Sequence, residues 1–233
     1  IGGFQGIGDD AIMFSVTSYT QPVQYFSFDL TNNSLELLWE EAIPGFNPND
    51  YTEVSTNYES KDGTVVPITY SYKSSTKLNK DTPIFLYAYG GYNISIRPSF
   101  TPKYVAWLEM GGVLAVANIR GGGEFGKAWH DAGRLGTKQN VFDDFLYASK
   151  FLESNAIGNR KSTVISGRSN GGLLVGATLI QNPNYFGAAL PAVGVMDMIR
   201  FTEFTEGWGW RGDYGYPILS QEDFHRNIEI SPY

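Results

Sequence analysis

Residues 163–181 constrain the fold most, because a short strand pattern, a glycine-flanked serine and a helix pattern follow one another there. The β-branched run at 163–166 predicts a buried strand, and the apolar run at 172–181 predicts a buried helix. Between them Gly167, Ser169 and Gly171 spell G-x-S-x-G, which in this setting indicates a nucleophile elbow. Small residues on both sides of Ser169 allow the strand and the helix to approach closely. The alternative is a glycine-rich turn with an incidental serine.

An elbow of this kind predicts an oxyanion hole built from a helix start and a neighbouring loop. The backbone N–H of Asn170 would point to the oxyanion from the first turn of the helix. A second donor is expected in the loop after the predicted strand at 84–88, where Tyr89 precedes Gly90 and Gly91. The Tyr89 hydroxyl could donate to the oxyanion, although it could also be an ordinary aromatic residue at a strand end.

Charge and composition exclude several classes of partner. The net charge of −7, without a Lys/Arg cluster, argues against nucleic acid. The chain has no cysteine, which excludes disulfides and thiolate metal sites and fits a cytoplasmic protein. Its apolar runs are too short to span a membrane, and it shows no signal-peptide pattern. We therefore expect a cytoplasmic protein with neither nucleic acid nor membrane as a partner.

The order of the predicted elements indicates an α/β fold preceded by a short all-β segment. Residues 1–45 contain three alternating strands, at 11–17, 24–30 and 34–39, as in a small sheet or one propeller blade. Residues 46–233 begin with a hairpin closed by Asp62-Gly63 and continue as alternating strands and helices. That alternation predicts a doubly wound, mostly parallel sheet. Its expected elements are strands at 84–88, 113–119 and 187–193, the last one buried, helices at 104–110, 141–154 and 172–181, and irregular chain from 196 onward.

The catalytic partners of the serine are not evident within the chain. His130 precedes Ser169, which is the wrong order for this kind of hydrolase, and His225 lies in a polar stretch typical of the surface. We interpret Asp197 and Asp213 as capping or turn carboxylates. The triad therefore looks incomplete, and the start at Ile1 and the end at Tyr233 suggest a piece of a longer protein. The glycine-rich stretch 120–126 lacks a Walker pattern and is interpreted as a structural loop beside the site.

Several long segments carry a family resemblance that covers nearly the whole chain. They lie at 90–96, 110–124, 138–140, 142–145, 169–175, 193–198 and 213–215, including Ser169-Asn-Gly-Gly-Leu-Leu-Val175 and Val193-Gly-Val-Met-Asp-Met198. In these segments the chain resembles the prolyl oligopeptidase family. The resemblance implies that residues 1–45 end a β-propeller and that 46–233 form most of an α/β-hydrolase domain.

The resemblance also implies an activity and a set of site residues. The activity is cleavage of short peptides after proline, by a monomer, through an acyl-enzyme on Ser169, without metal or cofactor. Asn170 and Tyr89 would serve the oxyanion. Trp210 would stack on the substrate proline, in a pocket that is also lined by Tyr92, Val195 and Tyr214. The catalytic Asp and His are expected beyond Tyr233.

Departures from the family pattern leave other functions open. Arg168 stands where glycine is common, Tyr92 replaces phenylalanine, and Glu206 replaces an apolar residue. These changes bear on the rim of the pocket. Some fungal members join peptide ends instead of hydrolysing them, so a macrocyclase is one alternative. An esterase or lipase would have an HGGG-type loop and no counterpart of Trp210. If the chain is complete, a non-catalytic hydrolase-like fragment is expected.

Overall fold

The structure is a computed structural model that describes residues 1–8 and 10–233. The chain divides into two compact units. The first contains residues 1–53, 71–76 and 97–111, and the second contains residues 54–70, 77–96 and 112–233. The predicted domain boundary at residue 45 stays a prediction.

The first unit contains a four-stranded antiparallel sheet in the order β1-β2-β3-β4. Its strands are β1 (Gly2–Ile7), β2 (Ala11–Val16), β3 (Gln24–Asp29) and β4 (Ser34–Glu40), and helix α1 (Pro102–Glu109) belongs to the same unit. The three predicted strands are present. Strand β1 was not predicted, because its three glycines interrupt the alternation that identifies a strand. Stacked rings of Phe14 and Phe26, 5.8 Å apart, tie β2 to β3 across one face.

The second sheet has six strands in the order β10-β9-β7-β8-β6-β5. The strands are β5 (Tyr51–Glu59), β6 (Val65–Lys73), β7 (Ile84–Tyr87), β8 (Val113–Ala117), β9 (Thr163–Arg168) and β10 (Ala188–Ala192). Strands β8, β7, β9 and β10 pair in parallel, which confirms the α/β prediction. Strand β8 is buried along its whole length, as expected for a central strand. The prediction of a buried strand at 187–193 was wrong, because β10 ends the strand order and is largely exposed.

The second unit also contains helices. They are α2 (Lys127–Asp131), α3 (Gln139–Ser154), α4 (Asn170–Gln181), α5 (Arg211–Tyr214) and α6 (Gln221–Ile230). The sequence predicted α3 and α4 but not α6, which lies in the part expected to be irregular. Helix α6 is mostly polar and buries Asn227 and Ile230, so it lacks the apolar run that identified α4. In the described part of the chain no helix is both long and apolar enough to cross a membrane.

An ion cluster around the buried Arg120 fixes the start of the glycine-rich loop that follows β8. The Arg120 guanidinium lies 2.6 Å from Asp144 of α3 and 2.6 Å from Asp62. The Asp144 side chain is fully buried, and it also accepts hydrogen bonds from Ser60 and from the Arg120 backbone N–H. The loop therefore has one defined position beside the carboxyl edge of the sheet.

Candidate active site

Ser169 occupies a sharp turn between β9 and α4, as the nucleophile-elbow pattern predicted. Its φ of +57° and ψ of −120° lie in a region that residues other than glycine rarely adopt. The Ser169 N–H donates to the Ala192 carbonyl at 2.9 Å, and the side chain is exposed. A Cβ on Gly167 would lie 2.2 Å from the Gly171 carbonyl oxygen, so glycine is required there. The local sequence therefore holds the serine in a strained position at the edge of the sheet.

Two groups can donate hydrogen bonds beside this serine. Asn170 begins α4, so its N–H is among those that the helix leaves without an internal partner. The Tyr89 side chain, just after β7, lines the same cavity as Ser169. Burial is the largest of the effects that raise the pKa of Tyr89, which keeps its hydroxyl protonated as a donor at neutral pH. Both predicted oxyanion residues therefore flank Ser169.

One cavity of about 330 Å³ contains the nucleophile and the predicted pocket residues together. It is lined by Tyr89, Tyr92, Ile94, Ser169, Val195, Gly209, Trp210 and Tyr214. Ile94 and Gly209 were not predicted. The rings of Tyr92 and Tyr214 meet edge to face at 5.7 Å, which makes a rigid aromatic wall. The cavity can hold a compact apolar ring beside a serine hydroxyl.

The side chain of Asn170 lies buried next to this cavity and is bound on several sides. Its amide nitrogen donates to the Tyr89 carbonyl, and its amide oxygen accepts from the Tyr214 hydroxyl at 2.8 Å. Lys138 donates to the same oxygen at 3.1 Å and to the Gly90 carbonyl at 3.0 Å. Sequence reasoning missed this cluster, because its members are far apart in the chain and belong to no common motif.

Asp213 was predicted to be a capping or turn carboxylate, and that prediction was wrong. The residue is buried, and its carboxylate lies 2.9 Å from Nε2 of His130. Its second oxygen accepts the Tyr92 N–H at 2.8 Å, where Tyr92 has a φ of +56°. The His130–Asp213 pair therefore holds the strained loop that carries one wall of the cavity.

The other charged or titratable residues that the sequence singled out do not line this cavity. Asp197 is a turn carboxylate that accepts the backbone N–H groups of Ile199 and Arg200. His225 is exposed on α6. Arg168 and Glu206, the two departures from the family pattern, are also exposed. Neither belongs to the residues that line the cavity.

Burial of Lys138 predicts a specific pH dependence of stability. Desolvation lowers the pKa of Lys138 from 10.5 to about 8, so the folded protein releases this proton before the unfolded chain does. Its contribution to the free energy of unfolding should therefore rise by about 1 kcal/mol per pH unit between pH 8 and the ordinary lysine pKa of 10.5. Urea unfolding at pH 7, 8.5 and 9.5 should show this rise, and Lys138→Met should remove it. Parallel pH curves for the two proteins would contradict the assignment.

The chain is similar in sequence to known proteins. Residues 98–233 match the sequence model of the prolyl oligopeptidase family. The chain is 43% identical to the prolyl endopeptidase of Elizabethkingia meningoseptica over 95% of its own length and 31% of that protein. It is 38% identical to the dual function macrocyclase-peptidase POPB of Amanita bisporigera over 93% of its length and 30% of that protein.

Solved structures show the same similarity in three dimensions. A prolyl endopeptidase structure superimposes with a TM-score of 0.93 at 42% identity, covering 99% of this chain and 34% of that one. Prolyl oligopeptidase B from Galerina marginata, bound to a 35mer hydrolysis and macrocyclization substrate, gives 0.93 at 35% identity, covering 99% of this chain and 33% of that one. The chain thus spans about a third of the length of the relatives that it matches.

Proposed function

Because the chain belongs to the prolyl oligopeptidase family, we propose that Ser169 is the nucleophile of a serine peptidase that cleaves peptides after proline. The observation that carries the proposal is the single cavity that combines Ser169, Tyr89 and Trp210. The strained backbone of Ser169 supports it, since such strain persists where function requires it.

The proposed reaction passes through an acyl-enzyme. The Ser169 oxygen attacks the carbonyl carbon of the substrate proline and gives up its proton to a general base. The resulting oxyanion accepts hydrogen bonds from the Tyr89 hydroxyl and the Asn170 N–H. The intermediate then collapses, the C–N bond breaks, and the amine leaves with the proton from the base. Water hydrolyses the ester in the reverse sequence and restores Ser169.

We propose that the base and the acid that orients it come from parts of the full-length protein outside residues 1–233. His130 is engaged with Asp213 in holding the Tyr92 loop, and His225 is an exposed residue of α6. Neither is therefore a candidate for the base. The triad order of the hydrolase fold also puts the histidine last in the chain.

The cavity wall accounts for the proposed preference for proline. The proline ring is compact and apolar, and its nitrogen carries no hydrogen in a peptide, so a pocket for it needs no hydrogen-bond acceptor. Trp210, Tyr92 and Tyr214 supply aromatic surface, and Val195 supplies an aliphatic one. Such surfaces favour a flat apolar ring over a small or charged side chain.

Cleavage of matched peptides by the full-length protein tests this specificity. We expect a proline peptide to be cut on the carboxyl side of proline, and its alanine analogue to be cut far more slowly. Trp210→Ala should lower kcat/KM for the proline peptide about 10- to 100-fold and should reduce the discrimination between the two peptides. Trp208→Ala is the matched control, since Trp208 is 62% exposed and does not line the cavity. Equal cleavage of both peptides by the unmodified protein would refute the proposed specificity.

Removal of the Tyr89 hydroxyl tests the oxyanion assignment. Tyr89→Phe should lower kcat about 100- to 1,000-fold while KM changes little, because this donor acts mainly in the transition state. Steady-state kinetics should be compared with those of Tyr147→Phe, a change on the surface of α3. A Tyr89→Phe protein with an unchanged kcat would exclude this role.

Macrocyclisation is a second candidate product of the same acyl-enzyme. The similarity to the macrocyclase-peptidase POPB favours testing it. The amino terminus of the bound peptide would then replace water as the acceptor, and the new product would be an amide. Mass spectrometry distinguishes the outcomes, because the cyclic product is lighter than the linear hydrolysis product by one water.

A further inference from the structure

Lys138 is a buried lysine that the proposed reaction does not use. Its side chain lies just before α3 and the residue is only 3% exposed. Both hydrogen bonds of its ammonium end on neutral oxygens, those of Gly90 and Asn170, and the Tyr214 ring lies 5.5 Å away. Burial of an ammonium group costs free energy unless its interactions compensate.

The position of these two acceptors connects the lysine to both oxyanion donors. Gly90 directly follows Tyr89, and Asn170 directly follows Ser169. The Asn170 amide also donates to the Tyr89 carbonyl, so the lysine and the amide connect the same two segments. A Cβ on Gly91 would lie 2.5 Å from the Asn170 amide nitrogen, which shows how closely the loop packs on it. One ammonium group therefore joins the loop that carries one donor to the turn that carries the other.

The buried arginine of the same unit has a different set of partners. Arg120 is paired with the carboxylates of Asp144 and Asp62, which offset its charge directly. Lys138 instead donates its hydrogen bonds to a carbonyl and an amide, which fix direction and distance, and the carboxylate of Asp213 acts on it only through its charge. Two directional hydrogen bonds to different segments set the spacing of those segments.

We propose that Lys138 is a positioning residue that sets the distance between the Tyr89 hydroxyl and the Asn170 N–H. The inference rests on the proposed function, because it assigns the lysine to the oxyanion site of that reaction. Oxyanion donors act only when both lie within hydrogen-bond distance of the developing charge, so a small shift of one segment weakens the transition state. Binding of the substrate in its ground state depends on the aromatic walls and should change little.

The test compares Lys138→Met with Lys150→Met in the full-length protein. Lys150 lies on the exposed surface of α3, so its variant controls for loss of a lysine near the same helix. The readouts are kcat and KM for a proline peptide, the Ki of a peptide aldehyde that ends in proline, and the Ki of the product peptide. The aldehyde forms a tetrahedral adduct with a catalytic serine and so resembles the transition state.

Lys138→Met should lower kcat and the affinity for the aldehyde by the same factor, about 10- to 100-fold. KM and the Ki of the product should stay within about twofold, and Lys150→Met should behave like the unmodified protein. A purely structural role would weaken all affinities together, and that result would overturn the proposal. If the unmodified protein cleaves the proline peptide and the Lys138→Met variant has the same kcat, KM and Ki values as the Lys150→Met variant, only this inference fails. If the unmodified protein does not cleave at all, the proposed function fails first.

Asn170→Ala provides a second route to the same link, since it removes one of the two acceptors of Lys138 and keeps the backbone donor. Its loss of kcat should resemble that of Lys138→Met, and the double variant should lose little more than either single one. Additive losses would show that the two residues act separately and would overturn the link. If Lys138→Met does not fold, Asn170→Ala alone must reproduce the paired loss of kcat and aldehyde affinity. Failure of both variants to fold would assign the cluster to the scaffold and overturn the proposal.

Discussion

Replacement of Ser169 by alanine is expected to lower kcat for cleavage of a proline peptide about 10⁶-fold in the full-length protein. The reason is that no other group can form the covalent acyl intermediate, so only binding and the oxyanion donors remain to act on water. The structure makes Ser169 the only hydroxyl of the cavity lining, apart from those of the three tyrosines. Rates should be measured by mass spectrometry of the products over long incubations.

The fold should survive this substitution. Alanine keeps the Cβ of serine, so the backbone strain at φ +57° is the same in both proteins, and the exposed hydroxyl contributes little to packing. The free energy of unfolding should therefore change by less than about 0.5 kcal/mol. Ser154→Ala, at the exposed end of α3, is the control and should retain full activity. Activity of the Ser169→Ala protein above roughly one percent would show that another residue is the nucleophile.

Replacement of Arg120 by methionine is expected to give the largest loss of stability, about 3–5 kcal/mol. Asp144 is fully buried and accepts hydrogen bonds from the Arg120 guanidinium, so the variant leaves a carboxylate without its counter-charge in the interior. The cost is that of an unpaired buried charge, which exceeds the value of the ion pair itself. Urea unfolding monitored by far-UV circular dichroism measures the change.

An ion pair between Asp143 of α3 and the exposed Lys61 provides the comparison. Lys61 is 61% exposed where it meets Asp143, at 3.2 Å. Lys61→Met should cost less than about 1 kcal/mol, since water screens this pair and the lysine is free to move. If both variants lost the same free energy, burial of Asp144 would not be the reason for the larger effect. The loop after β8 would then be held by other contacts.

The local sequence was sufficient to predict the elbow, because its geometry depends on sterics within a few residues. Gly167 and Gly171 approach so closely that other residues would collide, and such a requirement is visible in the sequence. The aromatic wall was foreseen for a different reason, since Tyr92 and Tyr214 lie in segments that resemble a known family. Their assembly around Ser169 then follows from the fold.

Contacts between distant segments could not be predicted in this way. Asp213 meets His130 and the Tyr92 loop, and Lys138 meets Gly90 and Asn170, across separations that no local pattern encodes. The exposure of β10 also depends on its place at the end of the strand order, whereas its composition is that of a buried strand. In each case the local sequence indicated the type of residue, but it did not indicate which neighbour that residue contacts in the fold.

Labelling of the full-length protein with a fluorophosphonate probe tests the central claim most directly. The probe reacts with a serine only when that serine is activated as a nucleophile. We predict one label per protein, located on Ser169 by peptide mapping, prevented by a peptide aldehyde that ends in proline and absent from the Ser169→Ala variant. A folded full-length protein that takes up no label, or takes it up on another residue, would contradict the assignment of Ser169 as the catalytic nucleophile.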